Sequence, residues 1–160
     1  SLVLEVVPDQ VTLIPDSPQA ITSNAGWDVI SHQSFLNEVV ATFSKKGIRV
    51  SLFTGTDIKQ IEAARETGSD RIELYTEAYA EQYLKDRKSA VSNYLVASKK
   101  AKALGLGLNA GHDLNLENLT FFGQQMVDLK EVSIGHALIT DALYLGLEQT
   151  IKRYLACLKS

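Results

Sequence analysis

A single cysteine, Cys157, is all the thiol chemistry this sequence holds. No disulfide framework can therefore form within the chain, which fits a reducing compartment. A Cys–His nucleophile would need one of the three histidines to come close in the fold. Cys157 falls on the last predicted helix, where an inert, packed thiol is expected. Long apolar runs are lacking too, and none approaches the ~20 residues that span a bilayer. The sequence does not open with a basic region followed by an apolar stretch, so no signal peptide is read there. It has no Cys or His spacing of a metal site and no Gly-x-Gly-x-x-Gly or Gly-x-x-x-x-Gly-Lys loop. It has no low-complexity stretch and no linker rich in Pro, Gly or Ser. Neither sign of charge dominates. With 16 Lys and Arg against 19 Asp and Glu, the net charge is −3, and neither a broad nucleic-acid surface nor an anionic-membrane surface is expected. Small phosphates stay open as ligands, because backbone amides bind them whatever the net charge.

What is present is a globular balance. The 160 residues are 45% hydrophobic and 22% charged, enough for one domain with a real core. Short β-rich runs alternate with amphipathic helices. Strands are predicted over 9–15, 48–54, 71–76, 106–110 and 131–135. A helix over 28–46 puts Phe35, Val39 and Phe43 on one face, and Gly47 ends it. A short helix carries Ile58, Ile61 and Ala64. A longer helical region over 78–104 breaks near Asp86, and its second part groups Tyr94, Ala97, Ala101 and Leu104. A helix over 116–126 follows. A final helix from Ala137 puts Leu143, Leu147, Ile151, Leu155 and Leu158 on one side. Five strand–helix units in strict alternation predict an α/β fold with a parallel sheet under helices.

The alternation within the strands sharpens this. Val11 and Leu13 oppose Thr12, and Val50 and Leu52 oppose Ser51. Ile72 and Leu74 oppose Arg71 and Glu73. Leu106 and Leu108 oppose Gly107 and Asn109, and Val132 and Ile134 oppose Ser133 and Gly135. A doubly wound sheet buries both faces under helices and reads apolar on both. A barrel buries one face and turns the other into its lumen. The pattern therefore favours a TIM-type βα-barrel with a polar lumen.

Three places stand out for chemistry. Glu73, mid-strand, is costly inside a barrel unless paired or protonated. It is either the ion-pair partner of Arg71 or an acid, base or charge stabiliser. His112 ends the fourth strand, where βα-barrels place catalytic groups. It is either a general acid–base or a loop residue capping the next helix. Gly135-His136-Ala137 joins the fifth strand to the last helix. It is either a tight turn or an anion site made of helix amides. His32 reads as a solvated helical residue, and Glu62, Glu66 and Asp128 as surface charges.

Five segments together resemble the pyridoxine 5′-phosphate synthase family over essentially the whole chain. They are Pro8-Asp9-Gln10-Val11-Thr12-Leu13-Ile14-Pro15, Arg49-Val50-Ser51-Leu52-Phe53, Arg71-Ile72-Glu73-Leu74-Tyr75-Thr76-Glu77-Ala78-Tyr79-Ala80, Leu108-Asn109-Ala110-Gly111-His112 and Ser133-Ile134-Gly135-His136-Ala137. Each alone is modest, and their order and spacing make the resemblance specific. It implies condensation of 3-amino-2-oxopropyl phosphate with 1-deoxy-D-xylulose 5-phosphate to pyridoxine 5′-phosphate, phosphate and water, without metal or organic cofactor. The resemblance implies His112 as the catalytic histidine of its strand and Glu73 as the transition-state-stabilising glutamate. It implies Gly135 and His136 as contacts to aminooxopropyl phosphate, and Thr22 as a contact to deoxyxylulose phosphate. Many members have a substrate-contacting glycine where this chain has Asp113, whose amide could serve while its carboxylate turns away. The family is cytoplasmic and forms homo-octamers, with small phosphorylated partners and neither nucleic acid nor membrane. Its barrel begins with three further βα units, which hold another catalytic histidine, a catalytic glutamate and a substrate-binding arginine. None of these is in the present residues, so 1–160 is read as the last five units, strands 4–8, of a single βα-barrel domain. The competing readings are a non-catalytic half-barrel and another phosphate-binding βα-barrel enzyme.

Overall fold

The computed structural model describes residues 2–16, 19–20, 23 and 25–159. Its strands are β1 (Gln10–Leu13), β2 (Arg49–Thr54), β3 (Arg71–Tyr75), β4 (Gly107–Gly111) and β5 (Leu129–Ser133). They form one parallel sheet in sequence order. The helices are α1 (Leu2–Val6), α2 (Gln33–Ser44), α3 (Ile58–Glu66), α4 (Glu77–Tyr83), α5 (Arg87–Ala103), α6 (Leu119–Gln125), α7 (His136–Leu145) and α8 (Leu147–Cys157). None of the described helices is long and apolar enough to cross a membrane.

The two faces of the sheet separate as the alternation predicts. Val50, Leu52, Ile72, Leu74, Leu108 and Ala110 lie on the outer face and are fully buried. They meet Leu36 and Val40 of α2, Ile61 and Ala64 of α3, and Ala97 and Ala101 of α5. Burial contributes about 1.5–3 kcal/mol for each large aliphatic side chain removed from water. Tyr79, Tyr94 and Phe122 extend this core as an aromatic cluster, with ring centroids 4.9–6.0 Å apart. On the inner face the register aligns Thr12 with Ser51, Ser51 with Arg71, Glu73 with Phe53 and Asn109, and Gly111 with Ser133.

The inner face is rolled inward. Gln10 Nε2 on β1 donates to Glu131 Oε2 on β5 at 3.1 Å. Edge strands of a flat five-stranded sheet would stand about 19 Å apart, beyond the reach of these side chains. The sheet therefore curves as a βα-barrel does, and the fold is a partial barrel of this type.

The structure refines three local expectations, and the break near Asp86 is where the sequence put it. The break near Asp86 is a cap: the Asp86 carboxylate accepts from the amides of Lys88 and Ser89 at 3.0 and 3.1 Å and starts α5. Phe35, Val39 and Phe43 do share a face of α2, but the fully buried residues of that helix are Leu36 and Val40, and of the three only Phe43 packs against the core. All three line a groove with Leu4 of α1, and Phe35 is 54% exposed. The predicted last helix is two helices, α7 and α8, separated at Gly146. Leu143 on α7 is thereby parted from Leu147, Ile151, Leu155 and Leu158, and all five are exposed. Thr150 and Tyr154 are the residues of α8 turned to the core.

Candidate active site

The C-terminal ends of β1, β2, β3, β4 and β5 open onto a cleft of about 840 Å³. Thr12 and Glu73 line one wall, with Phe53 and His112 beside them. Gly135 and His136, at the start of α7, line another.

Glu73 projects from mid-β3 to the inner face and is 6% exposed. It is not paired with Arg71. That guanidinium turns to Glu131 at 2.7 Å and to Asn109 Oδ1 at 3.0 Å. Thr12 Oγ1 donates to Glu73 Oε2 at 3.2 Å, and the Ser133 hydroxyl is a second hydrogen-bond partner. Burial pushes the Glu73 carboxyl above its ordinary value. The Thr12 and Ser133 hydrogen bonds and the nearby His112 oppose that rise, while Glu131 adds to it. Ser133 of β5 lies so close to β4 that Gly111 has no room for a side chain, and the Glu73 carboxyl adds to the crowding. A Cβ there would run into the Ser133 carbonyl oxygen, 2.9 Å from Ser133 Cβ and 3.2 Å from Glu73 Oε1.

His112 follows β4 directly with a φ of 95°, a left-handed conformation. Non-glycine residues held in such sparsely populated backbone regions carry about 1–3 kcal/mol of strain. The amide of His112 donates to the Ser133 carbonyl at 2.9 Å. Its ring stands edge-on to Phe53 and Tyr75, with centroids 6.3 and 5.8 Å away. On either side of it the peptide groups meet one hydroxyl. Thr76 Oγ1 donates to the Gly111 carbonyl at 2.6 Å and accepts from the Asp113 amide at 3.1 Å.

The Asp113 amide is thus engaged with Thr76. Its carboxylate faces His112, with Oδ2 3.5 Å from Nδ1, longer than a well-formed hydrogen bond. Asp113 Oδ2 is buried without a hydrogen-bond partner among the described residues. Burial raises the Asp113 carboxyl above its ordinary value, opposed first by His112. Asp113 does not line the cleft.

Gly135 is the residue before α7, and no side chain caps that helix. The space where a Gly135 Cβ would stand is open. Together with the first-turn amides, this leaves a helix N-terminus bare at the cleft, an arrangement suited to an anion. Thr22 lies outside the described residues. His32 is exposed and sits just before α2, its Nδ1 2.8 Å from the Asp28 carbonyl. Cys157 is half-buried at the end of α8, packed against the core and away from the cleft.

Sequence reasoning missed Thr12, Phe53 and Ser133 as neighbours of Glu73. The period-two alternation that placed Glu73 inside places all three on the same face. Thr76 carried no such signal, since a threonine that opens a helix reads as its cap.

A curved parallel sheet with helices outside and polar groups gathered at the strands' C-terminal ends defines the class of α/β proteins whose sites lie at that rim. The family model for PdxJ, pyridoxal phosphate biosynthesis protein, matches residues 1–160, and the chain belongs to that family. Pyridoxine 5′-phosphate synthase of Parabacteroides distasonis is 60% identical over 159 residues, which are 99% of this chain and 67% of that protein. The proteins of the same name from Phocaeicola vulgatus and Christiangramia forsetii are 55% and 56% identical, each over 99% of this chain and 67% of its own length.

Proposed function

We propose that the chain forms strands four to eight of a TIM-type βα-barrel, the C-terminal portion of one barrel domain, and that the full-length protein acts as a pyridoxine 5′-phosphate synthase. The reaction condenses 3-amino-2-oxopropyl phosphate with 1-deoxy-D-xylulose 5-phosphate and releases pyridoxine 5′-phosphate, phosphate and water. The observation that carries this reading is the convergence of His112 and Glu73 on one cleft with the uncapped start of α7.

Carbonyl condensation, dehydration and phosphate release each need a proton moved. His112 moves protons at the cleft wall, as histidine does near neutral pH. Glu73 faces charge that develops on the substrate. Its burial strengthens that interaction, because a low-dielectric setting weakens screening. Gly135, His136 and the amides that open α7 hold the phosphate of the aminooxopropyl substrate. Thr22 contacts deoxyxylulose phosphate. Asp113 stands beside His112 at the substrate-binding loop. A homo-oligomeric, cytoplasmic enzyme with small phosphorylated partners completes the proposal.

In the full-length protein, His112→Ala lowers turnover by about 10²–10⁴-fold with the fold intact, the range general acid–base groups supply. Glu73→Gln lowers kcat more than it raises KM, because its charge acts in the transition state. Steady-state assays with both substrates, beside circular dichroism, test this. Near-normal turnover in both variants would remove the two roles.

A further inference from the structure

We infer that Thr76 is a positioning residue, whose hydroxyl holds His112 in its left-handed backbone conformation and so aims the imidazole into the cleft. The inference rests on the reading of His112 as the acid–base group.

Thr76 follows β3 and precedes α4, in the position where threonine ordinarily caps a helix. It makes no capping hydrogen bond there. Its hydroxyl turns to the next strand instead and is fully buried. There it donates to the carbonyl before His112 and accepts from the amide after it, at 2.6 and 3.1 Å. A hydroxyl offers one donor and can accept as well, so both directions are used, one on each flank of a single residue. With the His112 amide bonded to Ser133, both peptide groups that flank the His112 Cα are fixed around a φ of 95°. Backbone this far from the common basins persists only where its surroundings over-determine it. Tyr94, whose hydroxyl donates to the Tyr75 carbonyl at 2.9 Å, steadies the chain just before Thr76.

A structural threonine and one that aims a histidine differ in what their removal does. Thr76→Val keeps the shape and removes the hydroxyl, and Thr76→Ser keeps the hydroxyl. In the full-length protein, Thr76→Val is expected to lower kcat roughly 10- to 100-fold, the scale of a displacement near 1 Å in a reacting group. KM should change little, and Thr76→Ser should recover most of the loss. In a His112→Ala background, Thr76→Val should cost no further turnover, because its effect runs through the imidazole. If His112→Ala alone is harmless, the acid–base reading fails. If His112→Ala is damaging and Thr76→Val is not, or if its loss persists without the imidazole, only the Thr76 inference fails. Where valine is poorly tolerated, Thr76→Ser against Thr76→Ala makes the same comparison. Loss of the fold in both hydroxyl-free variants would overturn the inference, since the hydroxyl would then hold the domain rather than the histidine.

Discussion

Glu73 sits between opposing forces: burial favours its neutral form, while two hydroxyl hydrogen bonds and His112 favour the carboxylate. Burial prevails, so the folded-state carboxyl titrates above the ordinary 4.5. A group raised in the folded state contributes stability fully below its unfolded value and loses it as pH rises through the folded value. The parent protein therefore carries a buried-charge penalty at neutral and alkaline pH that Glu73→Gln does not. The expected outcome is that Glu73→Gln gains stability relative to the parent as pH rises above about 4.5 through the raised value. Denaturant titrations of both proteins across that span check it, and a difference independent of pH would contradict it. This carboxylate was legible in the sequence because a charge amid an apolar strand has few tolerable environments. His112 was legible because it ends a strand. The bond partners were less so. Arg71 has the right face and spacing for Glu73, yet it reaches Glu131 on β5 instead, and a choice between two carboxylates on one face is made by curvature that the sequence does not display.

Among the elements, strands were read more securely than the faces and limits of helices. β3 runs from Arg71 to Tyr75, nearly as expected, because its alternation is strict. β5 lies two residues earlier than expected, over Leu129–Ser133. The register skips Lys130 between the Leu108–Leu129 and Asn109–Glu131 pairs, and such an irregularity breaks the period that a sequence reading relies on. The last helix was read as continuous because its leucines keep helical spacing through Gly146. That glycine has φ 79° and ψ 145°, a region essentially closed to other residues. It ends α7 through its amide, which donates to the Ala142 carbonyl at 2.9 Å, and it starts α8 by accepting from Thr150. Gly146→Ala should therefore destabilise the protein by about 1–3 kcal/mol, read as a lower denaturant midpoint with an unchanged slope. A neutral result would mean that the α7–α8 corner relaxes without strain.

For the whole molecule, the decisive feature is a sheet curved like a barrel with two open edges. Gln10, Arg49, Arg71, Asn109 and Glu131 knit all five strands across the inner face, so the curvature is set without further strands. Closure is a different matter. β1 pairs only with β2, and β5 only with β4, among the described residues. Unpaired strand edges are templates for pairing with another chain. Beside β5, an apolar hollow is lined by Val132, Ile134 and Leu138, with Ile151, Leu155 and Leu158 on its far side. Leu143 and Tyr144 of α7 stand more than 80% exposed. Exposed apolar surface of this extent marks a contact site. The alternation of apolar and polar residues announced the barrel in the sequence, and the count of five strands announced its open edges, while the cross-face bonds that curve the sheet became visible only with the strands in place. A polypeptide of these 160 residues alone is therefore expected to associate, to bind hydrophobic dyes more strongly than a closed barrel does, and to make no pyridoxine 5′-phosphate. Adding the further third by which its relatives are longer should suppress the dye binding and bring activity. Light scattering and an assay with both substrates, on material of verified mass, decide it. A monodisperse monomer of the short chain would show that the edges are protected by means other than pairing, and ring synthesis by it would show that the groups on the present strands suffice for catalysis.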